Sequence, residues 1–250
     1  RLILTTTPPE QMCEVFVYRY EKSGKRLLPV PQHGGLPIGQ TPLDIPLPMG
    51  SYAVVLKTRH REVRYPVYIP RGHHWKGEVD LNLTRKVHQG FVLVAGGPFW
   101  NASEQRLEDP HGNPWRNVSS FAMQQYPVTN REYCAFLNAI FGSETSKYGW
   151  KEVLELIPKH AKRVPRWRTW RPIWKFRQGR VELPQGLNPD LPVVGMSWYD
   201  ATAYASWLSR ATGKKFRLPN YPEWVKATCG VDGRRFAWGD EAETIYGNAA

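Results

Sequence analysis

Residues 217–240 read RLPNYPEWVKATCGVDGRRFAWGD, a stretch that holds a helix start, a helix stop, a charged turn and a Trp-Gly pair. Asn220 suits an N-cap, and Glu223 stands three residues later, where its carboxylate can return to the cap amide. Trp224 and Ala227 are predicted for the buried face of this helix, and Gly230 for its end. Asp232-Gly233-Arg234-Arg235 reads as a tight turn whose Asp tolerates the left-handed region. Arg234 or Arg235 is expected to pair with Glu223 or Asp240. A catalytic role for Asp232 needs a partner acid or base, and none is evident.

Two similar starts lie upstream. Thr129-Asn130-Arg131-Glu132 has the T-x-x-E form of a capping box, and Tyr133, Phe136, Leu137 and Ile140 follow at helical spacing to make one apolar face. Ser197-Trp198-Tyr199-Asp200 opens another helix, with Ala201, Tyr204, Ala205 and Leu208 inward and Gly213 as its stop. Residues 1–85 have a different texture. Glu14-Val15-Phe16-Val17-Tyr18-Arg19 alternates as a half-buried strand does, and Tyr52 to Leu56 and Val63 to Ile69 do the same. Prolines 37, 42, 46 and 48 confine the intervening stretch to turns and edge strands. This sandwich-like part shows no cluster of acid, base or nucleophile.

The totals bound the problem. A chain of 250 residues with 41% apolar and 13% aromatic content can bury a core, as one large domain or two modest ones. Its nearest approach to a membrane helix, FVLVAGGPFW at 91–100, is far short of the ~18 apolar residues needed. Cys13, Cys134 and Cys229 are odd in number and far apart, so they read as buried free thiols, not as a disulfide framework or a zinc site. The sequons at Asn82, Asn101 and Asn117 carry no weight without a secretory context. Net charge is +12, yet nine Lys/Arg and no acidic residue fall between Lys159 and Arg180. Outside that stretch 25 basic residues face 22 acidic ones, so the basic character is local.

Several blocks together carry a family resemblance. GFVLVAGGPF (90–99), YPVTNREYCAFLNA (126–139), LPVVGMSWYDATAYASWLS (191–209), RLPNYPEWVKAT (217–228) and GRRFAWGD (233–240) occur in one order. In that order they resemble the formylglycine-generating enzyme (sulfatase-modifying factor) family. The resemblance implies an α+β chain whose second part, residues 86–250, is the N-terminal part of a modified C-type-lectin-like domain. Upstream, Gly39-Gln40-Thr41-Pro42-Leu43 and Leu47-Pro48-Met49-Gly50-Ser51-Tyr52 resemble a PEGA domain, a small β module assigned to residues 1–85. This order of modules is similar to that of bacterial proteins in which a serine/threonine kinase domain precedes the pair, which implies a kinase partner and a cytoplasmic location. No kinase motif is present in the chain itself.

Catalytic members of the family are copper-dependent oxidases that convert a substrate cysteine to formylglycine with two active-site cysteines near the end of the domain. The blocks place none of Cys13, Cys134 and Cys229 at those positions, and that segment is expected beyond Ala250. The family's structural calcium sites begin near Tyr246 to Ala250, where Asn248 offers a side-chain oxygen and Ala249 a carbonyl. Calcium takes about six to eight oxygens, so no bound cofactor is expected in this chain alone. Copper is expected only with a further cysteine pair.

Two other clusters were weighed. In the stretch from Lys162 to Lys175, Arg163, Arg166, Arg168 and Arg171 alternate with Trp167 and Trp170, as phosphates plus stacked bases or an acidic polymer would require. The competing reading is a variable insertion with its indoles on the domain and its cations in water. His73-His74 is an awkward chelate, because neighbours on a strand point to opposite faces, and reads as a linker turn.

The reading adopted is a non-catalytic recognition or regulatory module. The alternatives are a formylglycine-generating oxidase completed elsewhere and a binder of anionic polymers, nucleic acid included, through residues 159–180. A partner chain completing the fold is a further expectation. The polymer reading makes nucleic-acid binding fall steeply with salt and weaken on Arg166→Ala or Arg168→Ala. Binding that ignores both removes it.

Overall fold

The structure is a computed structural model, and it describes residues 1–83, 87–101, 114–141, 175–177, 180–183 and 185–243. Among the described residues it is mostly strand with three α-helices, an α+β chain that forms two compact units. Arg1–Gln125 and Pro219–Ala250 make up the first; Tyr126–Leu218 make up the second.

In the first unit the period-two pattern becomes two sheets around one core. β1 (Leu2–Thr7) lies between β5 (Leu43–Ile45), antiparallel to it, and β8 (Trp75–Asp80), parallel to it. The larger sheet runs β3 (Arg26–Pro31), β2 (Glu14–Ser23), β6 (Gly50–Thr58), β7 (Arg61–Ile69), with β4 (Gly39–Gln40) also on β2. Alternate side chains enter a shared core: Leu2 and Leu4 from β1, Val15 and Val17 from β2, Val63, Tyr65 and Val67 from β7, Trp75 and Val79 from β8. A one-residue slip of any of these strands would turn its apolar set to water.

Two antiparallel ribbons follow in this unit. β9 (Phe91–Val94) pairs with β12 (Phe121–Gln124), and β10 (Gly97–Trp100) pairs with β11 (Trp115–Val118). In the second unit, β13 (Lys175–Arg177) pairs antiparallel with β14 (Arg180–Glu182), and α1 (Asn130–Phe141) packs on β14 and on α2 (Trp198–Thr212). Tyr133, Phe136, Leu137 and Ile140 are all buried, as their spacing requires, and they share their cluster with Val181 and Tyr204. Asn138 extends the packing by pairing with a strand backbone. Its side-chain amide donates to the Val181 carbonyl at 3.0 Å and its oxygen accepts the Val181 N–H at 2.8 Å. Gly213 ends α2 with φ +69°, in the left-handed region.

α3 (Tyr221–Cys229) and the turn after it belong to the first unit. Val225 and Val231 are part of that unit's core, and the Trp100 N–H donates to the Val231 carbonyl. Here two expectations fail. Trp224 is 51% exposed, while Val225 and Lys226 are buried. The inward stripe of α3 runs through Val225, Lys226 and Cys229, a helical spacing displaced from the one that the largest side chain suggested. The Asp232 turn also differs. Arg234 pairs with Asp232 itself through Nε–Oδ1 at 2.8 Å and Nη2–Oδ2 at 2.7 Å, and its guanidinium lies over the Tyr20 ring at 4.6 Å. Arg235 offers only its backbone N–H to Asp240. A two-residue separation lets the flat fork meet the carboxylate without a longer reach, and the side chains of the pair are 9% and 8% exposed.

Because both charges are shielded, removing one partner leaves the other buried and unpaired. Asp232→Ala is expected to cost about 3 kcal/mol in urea denaturation. Asp232→Ala combined with Arg234→Met should recover most of that loss.

Candidate functional site

Local chemistry commits the acidic residues of the helix starts. At α1 the Glu132 carboxylate accepts the Thr129 N–H at 2.8 Å and the Thr129 hydroxyl at 2.9 Å, while the Thr129 oxygen accepts the Glu132 N–H. At α2 Asp200 and Ser197 repeat the exchange, and at α3 Glu223 and Asn220 do so. Three capping boxes of one design therefore satisfy helix amides that would otherwise face apolar surroundings. Asp200 and Glu223 are buried, and a carboxylate that serves two donors in its own turn is not a free acid or base. Their charges reach nearby phenols. Burial and the Glu132 charge push Tyr204 up to about 12, and burial with the Asp200 charge raises Tyr133 further. Both stay neutral within an aromatic cluster that includes Phe136 and Trp207.

Two of the three thiols, those of Cys13 and Cys134, are equally committed. All three cysteines are free. Burial raises the pKa of Cys13, partly offset by a hydrogen bond with Thr41, and raises that of Cys134, partly offset by Asn138. The Cys134 thiol donates to the Val181 carbonyl at 3.4 Å. Thiols held protonated in apolar packing are neither nucleophiles nor soft-metal ligands, so Cys13 and Cys134 do not fit a copper(I) site. Among the described residues no group of three or more His, Cys, Asp or Glu side chains could hold a metal ion.

The sequence-predicted binding residues divide by where they fall. Arg163, Arg166, Trp167, Arg168, Trp170 and Arg171, and Asn248 and Ala249, lie outside the described residues. His73 and His74 lie in the turn that leads into β8. Of the sequons, Asn101 is fully buried.

The structure adds a cleft that sequence reading missed. A cavity of about 430 Å³ in the first unit is lined by Tyr65, by Lys76 to Glu78 of β8, by Gly96 to Pro98, and by Asn117 to Ser119. Tyr65 is 1% exposed, and its hydroxyl lies near the Trp75 indole N–H; neither forms a well-aligned hydrogen bond, and the phenol proton has no acceptor. A Cβ at Gly77 would overlap that hydroxyl, and one at Gly97, whose φ is +119°, would stand 3.0 Å from it. Burial raises the Tyr65 pKa, the Trp75 indole only partly offsetting this, so the hydroxyl is a neutral donor. Beside the cleft, the Lys226 ammonium donates to the Gly97 carbonyl at 2.9 Å. The one signal in the sequence was Gly77, a glycine where strand alternation puts an inward side chain.

Comparison with known proteins identifies the larger context. The family model for the sulfatase-modifying factor enzyme 1-like domain matches residues 78–249. The chain belongs to this family. It is 32% identical over 180 residues to the formylglycine-generating enzyme of Thermomonospora curvata, covering 66% of this chain and 57% of that enzyme. It is also 32% identical over 158 residues to the serine/threonine-protein kinase pkn1 of Chlamydia caviae, covering 63% of this chain and 22% of the kinase. The inactive C-alpha-formylglycine-generating enzyme 2 of Mus musculus is 32% identical over 172 residues, 64% of this chain and 54% of that protein. The chain thus spans little more than half of its enzyme-like relatives and about a fifth of the kinase.

Lys226 offers a direct check on the packing around Gly97. Burial lowers its pKa from 10.5 to about 8. The unfolded chain therefore binds more protons between those values, and stability rises with pH across that window. Thermal or urea unfolding should show a gain of about 1–2 kcal/mol from pH 8 to pH 10, before exposed tyrosines ionise. Lys226→Met should flatten the profile, and a native profile that is flat or falls in this range would contradict the burial of the ammonium.

Proposed function

We propose that this chain is a non-catalytic recognition or regulatory module of the formylglycine-generating-enzyme type, working within a larger bacterial kinase protein. The observation that carries this reading is the commitment of its chemistry to structure. Glu132, Asp200 and Glu223 close capping boxes, and Cys13 and Cys134 are protonated packing residues. Family membership, the kinase relatives and the relative named as inactive support it. The division at residue 85 into a PEGA-like β domain and a C-type-lectin-like domain belongs to the same proposal, as does a cytoplasmic location. A calcium site through Asn248 and Ala249 and an anionic-partner surface at Arg163, Arg166, Trp167, Arg168, Trp170 and Arg171 are secondary parts of it.

The competing reading, a copper oxidase, draws on similarity to a protein named formylglycine-generating enzyme. Copper(I) titration of the larger protein proposed here, against a chromogenic chelator, separates the two. The expected result is that the chelator keeps the metal. Uptake of one copper(I) per chain that is lost on substituting Ser at a cysteine pair following residue 250 would overturn the non-catalytic proposal.

A further inference from the structure

β8 is an edge strand. Among the described residues its sheet runs β5-β1-β8 and ends there. The Trp75 N–H donates to the Arg1 carbonyl and the Leu81 N–H to the Thr7 carbonyl, at the two ends of the parallel pairing. Main-chain direction alternates along a strand, so Gly77 and Val79 also turn toward β1. The N–H and C=O groups of Lys76 and Glu78 then point to the open side. The cleft lies along that side, with Gly96 to Pro98 and Asn117 to Ser119 as its other wall.

Three features of this cleft suit one kind of occupant. First, an open strand edge presents a repeating amide pattern that another extended chain matches. Second, Gly77, Gly96 and Gly97 line the cleft without side chains, the space of their missing Cβ atoms being taken by the Tyr65 hydroxyl and the Ser120 backbone, so no side chain from these positions shields the strand edge. Third, the Tyr65 hydroxyl sits between Gly77 and Gly97 beside the Trp75 indole with no acceptor for its proton, and a buried donor left unsatisfied costs free energy that a ligand's acceptor would recover. The charges beside the cleft argue against a simple anion. Lys76 and Glu78 are of opposite sign, and Glu78 also accepts the Thr7 hydroxyl. The volume of about 430 Å³ lies within the range of small ligand sites. At ~3.3 Å per residue, Lys76 to Glu78 offers pairing for about three ligand residues.

We propose that the open edge of β8 binds an extended peptide as an added strand, with a small hydroxyl-bearing side chain of that peptide accepting a hydrogen bond from Tyr65. This is independent of whether the chain is catalytic, and it assigns a peptide ligand to a surface that the helix caps and cysteines do not use.

The test uses capped, fluorescein-labelled hexapeptides carrying Ser or Ala at the third position, with the other positions randomised among Val, Ile, Lys and Glu. Fluorescence polarisation against the full 250-residue chain should show saturable binding of the Ser pool, about tenfold tighter than the Ala pool, as one recovered hydrogen bond predicts. Tyr65→Phe should erase that preference, leave the affinity of the Ala pool unchanged, and keep the melting temperature, since it removes a hydroxyl whose proton has no acceptor. Amide resonances of Lys76 and Glu78 should shift on adding the Ser pool. The proposal is overturned if neither pool binds, if Tyr65→Phe retains the preference, if N-methylation of the third residue leaves binding intact, or if N-acetylserine amide competes as well as the hexapeptides.

Discussion

The first unit depends on the return of the chain after residue 218. A β-rich N-terminal part could be expected to close its own core, yet Val225 and Val231 fill positions among Leu2, Val15, Tyr65 and Trp75. The return is held at several points. The Leu27 N–H donates to the Trp238 carbonyl at 2.7 Å, the Trp100 N–H to the Val231 carbonyl at 2.9 Å, and Lys226 to the Gly97 carbonyl. Arg234 adds a shielded contact with the Tyr20 ring while it holds Asp232. The surface pairs Lys22–Glu241 and Lys25–Glu243 lie in the same segment, but exposed ion pairs contribute little. Apolar burial and backbone pairing therefore hold the return, and the buried charges fix where it sits.

A second constraint is the start of each helix. The helices have 12, 15 and 9 residues, lengths at which isolated helices are marginal in water. Each begins with a reciprocal exchange between a Thr, Ser or Asn and an acid three residues on. Buried carboxylates such as Asp200 and Glu223 suggest catalysis, and their hydrogen bonds show another duty. Glu132, Asp200 and Glu223 serve the scaffold in this chain, as polar residues at helix starts commonly do.

Much of this was legible because it is local. The capping boxes at Thr129, Ser197 and Asn220, the stop at Gly213 and the apolar face of α1 follow from spacing within a single helix. So do the alternating strands of β2, β6 and β7. The buried face of α3 was not legible in the same way. Trp224 and Val225 are adjacent, and which of them turns inward depends on the surface the helix meets, here the core of the first unit. Arg234 had three acids within reach, and only the folded turn shows that Asp232 meets it with both oxygens.

By itself the sequence determined the class of the chain, its three helices and several of its strands, its family and the positions of its helix caps. Hydrogen-bond chemistry at helix ends and strand periodicity act over two to four residues. Tertiary structure alone decided that residues 219–243 return to the first core, that β8 joins β1 in parallel and ends its sheet, and that the Tyr65 hydroxyl lies between Gly77 and Gly97 with no acceptor for its proton. These are relations between residues tens to hundreds of positions apart. No local preference encodes them, because they arise only when separate apolar faces are buried together.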